Sequence, residues 1–114
     1  MNSMENWEEG VIFSVTVCDA GGKILKMNEK ARATFIKSGG KDLIGKNLLD
    51  CHPEPAKSKL KKMLETPYTR AYTIEKKGIK KLIYQTPWFK AGRPAGLVEL
   101  SLELPAELPH YIRK

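Results

Sequence analysis

Residues 47–55 read Asn-Leu-Leu-Asp-Cys-His-Pro-Glu-Pro, a thiol, an imidazole and two carboxylates within one short stretch. Groups of these types bind zinc, ligate haem or form a nucleophile and its base. Zinc needs about four ligands arranged tetrahedrally, and Cys51, His52 and Glu54 are too close in sequence to supply such a set by themselves. Cys18 and His110 are the other Cys and His of the chain, and no CxxC or CxxCH spacing signals a zinc knuckle or a covalent haem. A nucleophilic thiol needs its base turned toward it and oriented by a third group, whereas adjacent side chains in a turn point apart. No glycine-rich phosphate or oxyanion loop accompanies the pair, so the chain reads as a protein without enzymatic activity. The plainer reading of the stretch is a joint between two helices. Leu48 and Leu49 anchor it, Pro53 and Pro55 begin the next helix, and Cys51 acts as a small apolar residue.

The elements that position this joint follow from local patterns. Val11–Cys18 is rich in β-branched residues and runs into Asp19-Ala20-Gly21-Gly22, a turn cluster, after which Lys23–Met27 returns as a second strand. Asn28 caps a helix expected through Ser38, with Ala31, Phe35 and Ile36 on its inner face and Gly39-Gly40 ending it. Two short turns follow, one stopped by Gly45 and one capped by Asn47. Over Ala56–Glu65 the apolar residues Ala56, Leu60, Met63 and Leu64 share one face and lysines occupy the other, which makes an amphipathic helix. Thr69–Lys76, Lys80–Phe89 and Ala95–Leu104 read as three strands, with an irregularity expected at Pro87. In the last strand Val98, Leu100, Leu102 and Leu104 are expected to form its dry face, against Leu97, Glu99, Ser101 and Glu103.

At 114 residues the chain suits one domain. Three parts are expected: an N-terminal segment over 1–10, a domain over 11–104 and an extended tail over 105–114. No apolar run reaches the roughly 18–20 residues that cross a bilayer, and the acidic N-terminus lacks the pattern of a secretory signal. A cytoplasmic location with reduced thiols is therefore expected, without membrane association. The net charge of +7 comes mainly from Lys57, Lys59, Lys61, Lys62 and from Lys76, Lys77, Lys80, Lys81. These stretches lack the arginine, asparagine and aromatic side chains that read bases, so a solvated basic face is expected in place of nucleic-acid binding.

Strands and helices that segregate in this order imply an α+β fold. Read with its local motifs, the chain resembles the PAS domain family, of PAS/PAC type, from about Val11 to Leu104. The resemblance is carried by Val17-Cys18-Asp19-Ala20-Gly21-Gly22-Lys23-Ile24, Met27-Asn28-Glu29-Lys30-Ala31, Asp42-Leu43-Ile44-Gly45-Lys46-Asn47-Leu48-Leu49, His52-Pro53-Glu54, and Gly92 to Leu102. It implies a five-stranded antiparallel sheet in order 2-1-5-4-3, with short helices and one longer helix on one face. It also implies a small bacterial-type sensor for signal transduction, which binds a ligand in its core and signals through a protein partner or a homodimer. A ligand-free dimerisation or docking module is the alternative. Leu102-Glu103-Leu104-Pro105 departs from the family's usual exit into a signalling coiled coil, so a signal is expected to leave through a partner, a dimer interface or the tail. Trp7 with Val11 and Ile12 is a candidate dimer contact.

The same resemblance implies a core pocket lined by Phe35, Ile44, Leu48, His52, Leu60, Met63, Leu64, Tyr72, Tyr84, Trp88 and Leu100, with Gln85 able to add a polar group. Its alternative is a filled core. Flavin photosensors of the family carry Gly-x-Asn-Cys, and the matching stretch here is Gly45-Lys46-Asn47-Leu48, which lacks the thiol and argues against a flavin photoadduct. Haem-binding members often place a histidine on the longer helix. Here that helix has none, leaving His52 or Met63 as the candidate haem ligands.

Overall fold

The computed structural model describes residues 3–114; residues 1 and 2 of the expected N-terminal segment lie outside them. Strand β1 (Ser14–Asp19) and strand β2 (Ile24–Met27) form the first hairpin. Asp19 closes its turn, one carboxylate oxygen accepting from the backbone N–H of Gly21 and of Lys23, each at 2.9 Å. Gly22 sits there at φ 91°, where a β-carbon is disfavoured. Val11–Phe13 do not join β1 as expected: the ladder to the neighbouring strand begins at Ser14 opposite Ser101, and the Phe13 carbonyl is taken by the Asn28 side chain at 2.9 Å.

Asn28 does more than cap. Its Oδ1 accepts from Ala31 N at the start of helix α1 (Glu29–Thr34) and from Val15 N in β1, both at 2.9 Å. Its Nδ2 donates to the carbonyls of Phe13 and Glu8. All four of its hydrogen-bonding positions are filled and it is fully buried, so helix, strand and N-terminal 3-10 segment (Ser3–Glu9) meet at one amide. Lys26 pairs with Glu8 and Arg32 with Glu9 across the same junction.

Helix α1 is shorter than expected. Thr34 turns its hydroxyl back onto the Lys30 carbonyl at 2.8 Å, a bond that weakens helix continuation, and the chain tightens into a 3-10 turn at Ile36–Ser38 that ends at Gly39, φ 125°. Ile36 consequently points outward, 69% exposed. Further 3-10 turns at Gly40–Leu43 and Leu48–Cys51 lead into helix α2 (Ala56–Glu65). Helix α2 buries Leu60 and Met63 and leaves Lys57, Lys59, Lys61 and Lys62 exposed, as its periodicity requires.

Strands β3 (Arg70–Lys76), β4 (Ile79–Lys90) and β5 (Arg93–Glu103) complete one antiparallel sheet in the order β2-β1-β5-β4-β3, the order the resemblance implies. The ladder shifts between Trp88 and Phe89, next to Pro87. Pairing of β4 with β3 ends at Gln85 opposite Arg70, so at Pro87 that side of the strand has no ladder to lose. Leu104 N still donates to the Lys80 carbonyl at 2.8 Å; beyond it, 105–114 has no helix or strand.

The core joins Cys18, Ile24, Met27, Ala31, Leu43, Leu48, Leu60, Met63 and Leu97, with Phe35, Leu49 and Leu64 packed against it. This corrects the expected orientation of β5. Leu97 faces the helices, and Val98, Leu100 and Leu102 lie half-buried on the opposite, outer face, where Val17 pairs with Val98 and Tyr84 with Leu100. Both faces of the strand carry apolar residues, and the cross-strand register selects the one that meets the helices. Close approach at the core rim also explains Gly96, φ 148°, where a β-carbon would lie 1.9 Å from the Cys18 carbonyl oxygen.

Candidate functional site

The register places a polar row across the helix-facing side of the sheet. Thr16 of β1 is opposite Glu99 of β5, Glu99 is opposite Gln85 of β4, and Gln85 is opposite Arg70 of β3. Thr16 and Gln85 are buried, at 7% and 2% exposure. Gln85 Nε2 donates to Glu99 Oε2 at 2.7 Å. Among the described residues, Thr16 Oγ1 and Gln85 Oε1 are buried without a hydrogen-bond partner in the protein. At the far end of the row the Arg70 guanidinium lies 4.3 Å from the Tyr72 ring centroid. Burial pushes the Tyr72 phenol above its ordinary value, and the nearby Glu99 carboxylate adds to that rise.

In front of Thr16 and Glu99 is a cavity of about 60 Å³, walled by Ile24, Met27, Phe35, Ser38, Leu43, Leu48, Cys51 and His52. A smaller one of about 10 Å³ adjoins it, sharing Thr16, Leu48 and Glu99 and adding Leu60 and Gln85. The cavity lies between the sheet and the short helical turns. Asn47 positions its wall, accepting from Leu49 N at 2.9 Å and donating to the Gly21 carbonyl at 3.0 Å.

Cys51 and His52 do not form a dyad. Each side chain folds back onto a carbonyl four residues earlier: Cys51 Sγ lies 3.5 Å from Asn47 O, and His52 Nδ1 lies 2.9 Å from Leu48 O. A carbonyl only accepts, so Nδ1 carries the proton in the neutral ring and Nε2 is left as an acceptor. Both residues line the cavity, and Cys51 is exposed. Among the described residues no group of three or more His, Cys, Asp or Glu side chains is placed to hold a metal.

Of the expected pocket residues, Phe35, Leu48 and His52 line the larger cavity and Leu60 lines the smaller. Met63 is fully buried, and with Leu64, Gly96 and Leu97 it lines a separate cavity of about 40 Å³. Ile44 is 41% exposed, because the 3-10 turn before it directs Leu43 inward instead. Tyr72 is on the helix-facing side of the sheet, beyond the cavity. Tyr84 and Leu100 pair on the outer face, for the reason given for β5. Trp88 is spent on the rim, its Nε1 donating to the Cys18 carbonyl at 2.9 Å. The signal that escaped sequence reading is Thr16 and Glu99: polar residues inside apolar strands mark an inward polar site only once the register aligns them.

The cofactors weighed from sequence do not fit this cavity. Pockets for cofactors and drug-sized ligands span about 300–1,000 Å³, so about 60 Å³ admits neither a porphyrin nor a flavin, and the cavity beside Met63, about 40 Å³, is smaller still. The hairpin lysines are interleaved with acids, Lys80 opposite Glu75 and Lys81 opposite Glu103, which breaks up that half of the basic surface. No helix is long and apolar enough to cross a membrane among the described residues.

No family model matches the sequence, and no curated protein matches it. Solved structures do. The chain is similar to a sensory box sensor histidine kinase from Vibrio cholerae, with a TM-score of 0.62 and 19% identity over 90% of this chain and 89% of that one. It is similar to the PAS domain of an HTR-like protein from Haloarcula marismortui, with a TM-score of 0.62 and 13% identity over 89% and 88%. It is also similar to the Aer2 receptor from Vibrio cholerae, a dual PAS-haem oxygen sensor, with a TM-score of 0.59 and 17% identity over 86% and 99%. The chain has the PAS fold.

Proposed function

We propose that this PAS-fold chain is a cytoplasmic sensor and signal-transduction domain, without catalysis, that takes a small ligand in the cavity between sheet and helices. The observation that carries this reading is the polar row of Thr16, Gln85 and Glu99, two of whose buried atoms have no protein partner. Burying a polar group unpaired is costly, and a ligand that completes those bonds recovers part of that cost. The sensor structures it resembles support the reading by analogy of fold.

A route out of the site exists in the described contacts. Phe35 and Ser38 follow directly on α1 and line the cavity, Arg32 of α1 pairs with Glu9, and Asn28 holds the Glu8 carbonyl. A ligand that favours one position of α1 shifts the N-terminal segment with it, provided it binds the two positions with different affinity. The test is native mass spectrometry of freshly purified protein, followed by a thermal-shift screen of small polar metabolites. A bound mass, or a rise in Tm that Leu48→Phe abolishes by filling the cavity, supports the proposal; a protein that shows neither counts against it.

The outer face favours a second reading. Val17, Val98, Leu100, Leu102 and Tyr84 form a contiguous apolar surface on the side away from the helices, and Trp7 and Ile12 are 56% and 91% exposed. A homodimer or docking module that holds no ligand would use this face. Sedimentation of wild type against Leu100→Lys separates the readings: a dimer lost in the variant, with no ligand found, selects the second.

A further inference from the structure

Resting on that reading of the cavity, we infer that its ligand is a small hydrogen-bond donor, of the amide, amidine or amino-azole class, and not an apolar molecule. The walls of the cavity and of the small chamber beside it, which Gln85 lines, offer mainly acceptors, and the Thr16 and Ser38 hydroxyls can accept or donate. The Gln85 amide is oriented by its own bond, since Nε2 donates to Glu99 Oε2 at 2.7 Å and the flipped amide would set oxygen against oxygen. Gln85 Oε1 is thereby left buried and unpaired, as is Thr16 Oγ1. Glu99 supplies a carboxylate with further lone pairs, and a carboxylate accepts only.

The opposite wall has the same character. His52 spends its Nδ1 proton on the Leu48 carbonyl, so the ring nitrogen left to the cavity in the neutral form is a bare acceptor. Arg70, the cation in the same row, is stacked over Tyr72. An apolar guest leaves Gln85 Oε1 buried and unpaired. A guest with only acceptors can pair with the Thr16 hydroxyl proton alone, and meets like partial charge at Glu99 and at the free His52 ring nitrogen. A guest with two or more N–H groups satisfies the row, and positive charge on it is favoured by Glu99.

Size narrows the class. Each water-sized group needs roughly 10–15 Å³ of such space, so about 60 Å³ holds about four to six non-hydrogen atoms. The guest is therefore a fragment-sized molecule, or the donor-bearing end of a larger one that displaces the Leu43 and Leu48 turns.

The test is a backbone-amide NMR titration of the full chain at millimolar concentration with three probes of six non-hydrogen atoms each: 3-aminopyrazole, 1-methylpyrazole and benzene. The result expected is that 3-aminopyrazole shifts the resonances of Thr16, Gln85 and Glu99 and binds at least about tenfold tighter than the others, and that Thr16→Val and Gln85→Leu each weaken it about fivefold or more. Both variants replace a buried polar group by an apolar one of similar size, so they retain the fold, which the same spectra verify. Equal binding of 1-methylpyrazole or benzene overturns the inference and leaves the cavity as a ligand site. Binding of 3-aminopyrazole that is unchanged in both variants overturns it too. No shift of cavity resonances by any probe overturns the inference together with the proposed site.

Discussion

Replacing Thr16 by valine tests the unpaired hydroxyl without altering shape. The side chains are nearly isosteric and both favour strands, and Thr16 is 7% exposed with its Oγ1 lacking a partner in the protein. An unsatisfied buried polar group costs about 1–3 kcal/mol, so the variant is expected to gain about 1 kcal/mol at the low end of that range. For 114 residues, unfolding entropy near 2.1 cal/mol/K per residue gives about 0.24 kcal/mol/K, and 1 kcal/mol raises Tm by about 4 °C. The assay is urea and thermal unfolding followed by circular dichroism, with Thr16→Ser as the control that keeps the hydroxyl. An equal or lower Tm for Thr16→Val would refute the reasoning, because it would mean that the hydroxyl is already paired and the polar row carries no unmet demand.

Asn28→Ala removes a cap and three further hydrogen bonds, one buried and two part-buried; a loss of about 2–4 kcal/mol is expected by urea unfolding, with faster proteolysis ahead of Ser14. The Lys26 ammonium holds the Glu8 carboxyl below its ordinary value. A depressed carboxylate stabilises at neutral pH, above its unfolded value, and that contribution fades as pH falls through the folded one. Trp7 fluorescence should therefore report release of the N-terminal segment on acidification, and Glu8→Gln should remove that transition. Cys51 is exposed, whereas Cys18 is 2% exposed with its thiol pushed up by burial; iodoacetamide on the native protein should add a single adduct, mapped by peptide mass to Cys51.

Much of the fold is local chemistry and was legible as such. Asp19 with Gly21 and Gly22 specifies a turn through bonds within a few residues, Asn28 specifies a helix start through its bond to the backbone three residues ahead, and the spacing of Leu60, Met63 and Leu64 orients α2. The end of α1 was less legible, because Phe35 and Ile36 continue the apolar spacing set by Ala31 although the helix ends at Thr34. The candidate site was the least legible. Phe35, Leu48 and His52 line the cavity, while Leu43 takes the inward place in its turn and Ile44 is exposed, and Tyr84 and Leu100 stand on the far side of the sheet.

Element types, their order and the amphipathic lysine helix are determined by the amino-acid sequence itself, since each rests on neighbours within about one turn of helix or one hairpin. Which side of β5 meets the helices was decided by tertiary structure alone. Alternation with period two defines two faces and does not choose between them; pairing of Cys18 with Leu97 on one edge, and of Gln85 with Glu99 on the other, makes the choice. The same register turns three scattered polar residues, Thr16, Gln85 and Glu99, into one polar row, because hydrogen bonds between strands align residues that the chain keeps far apart.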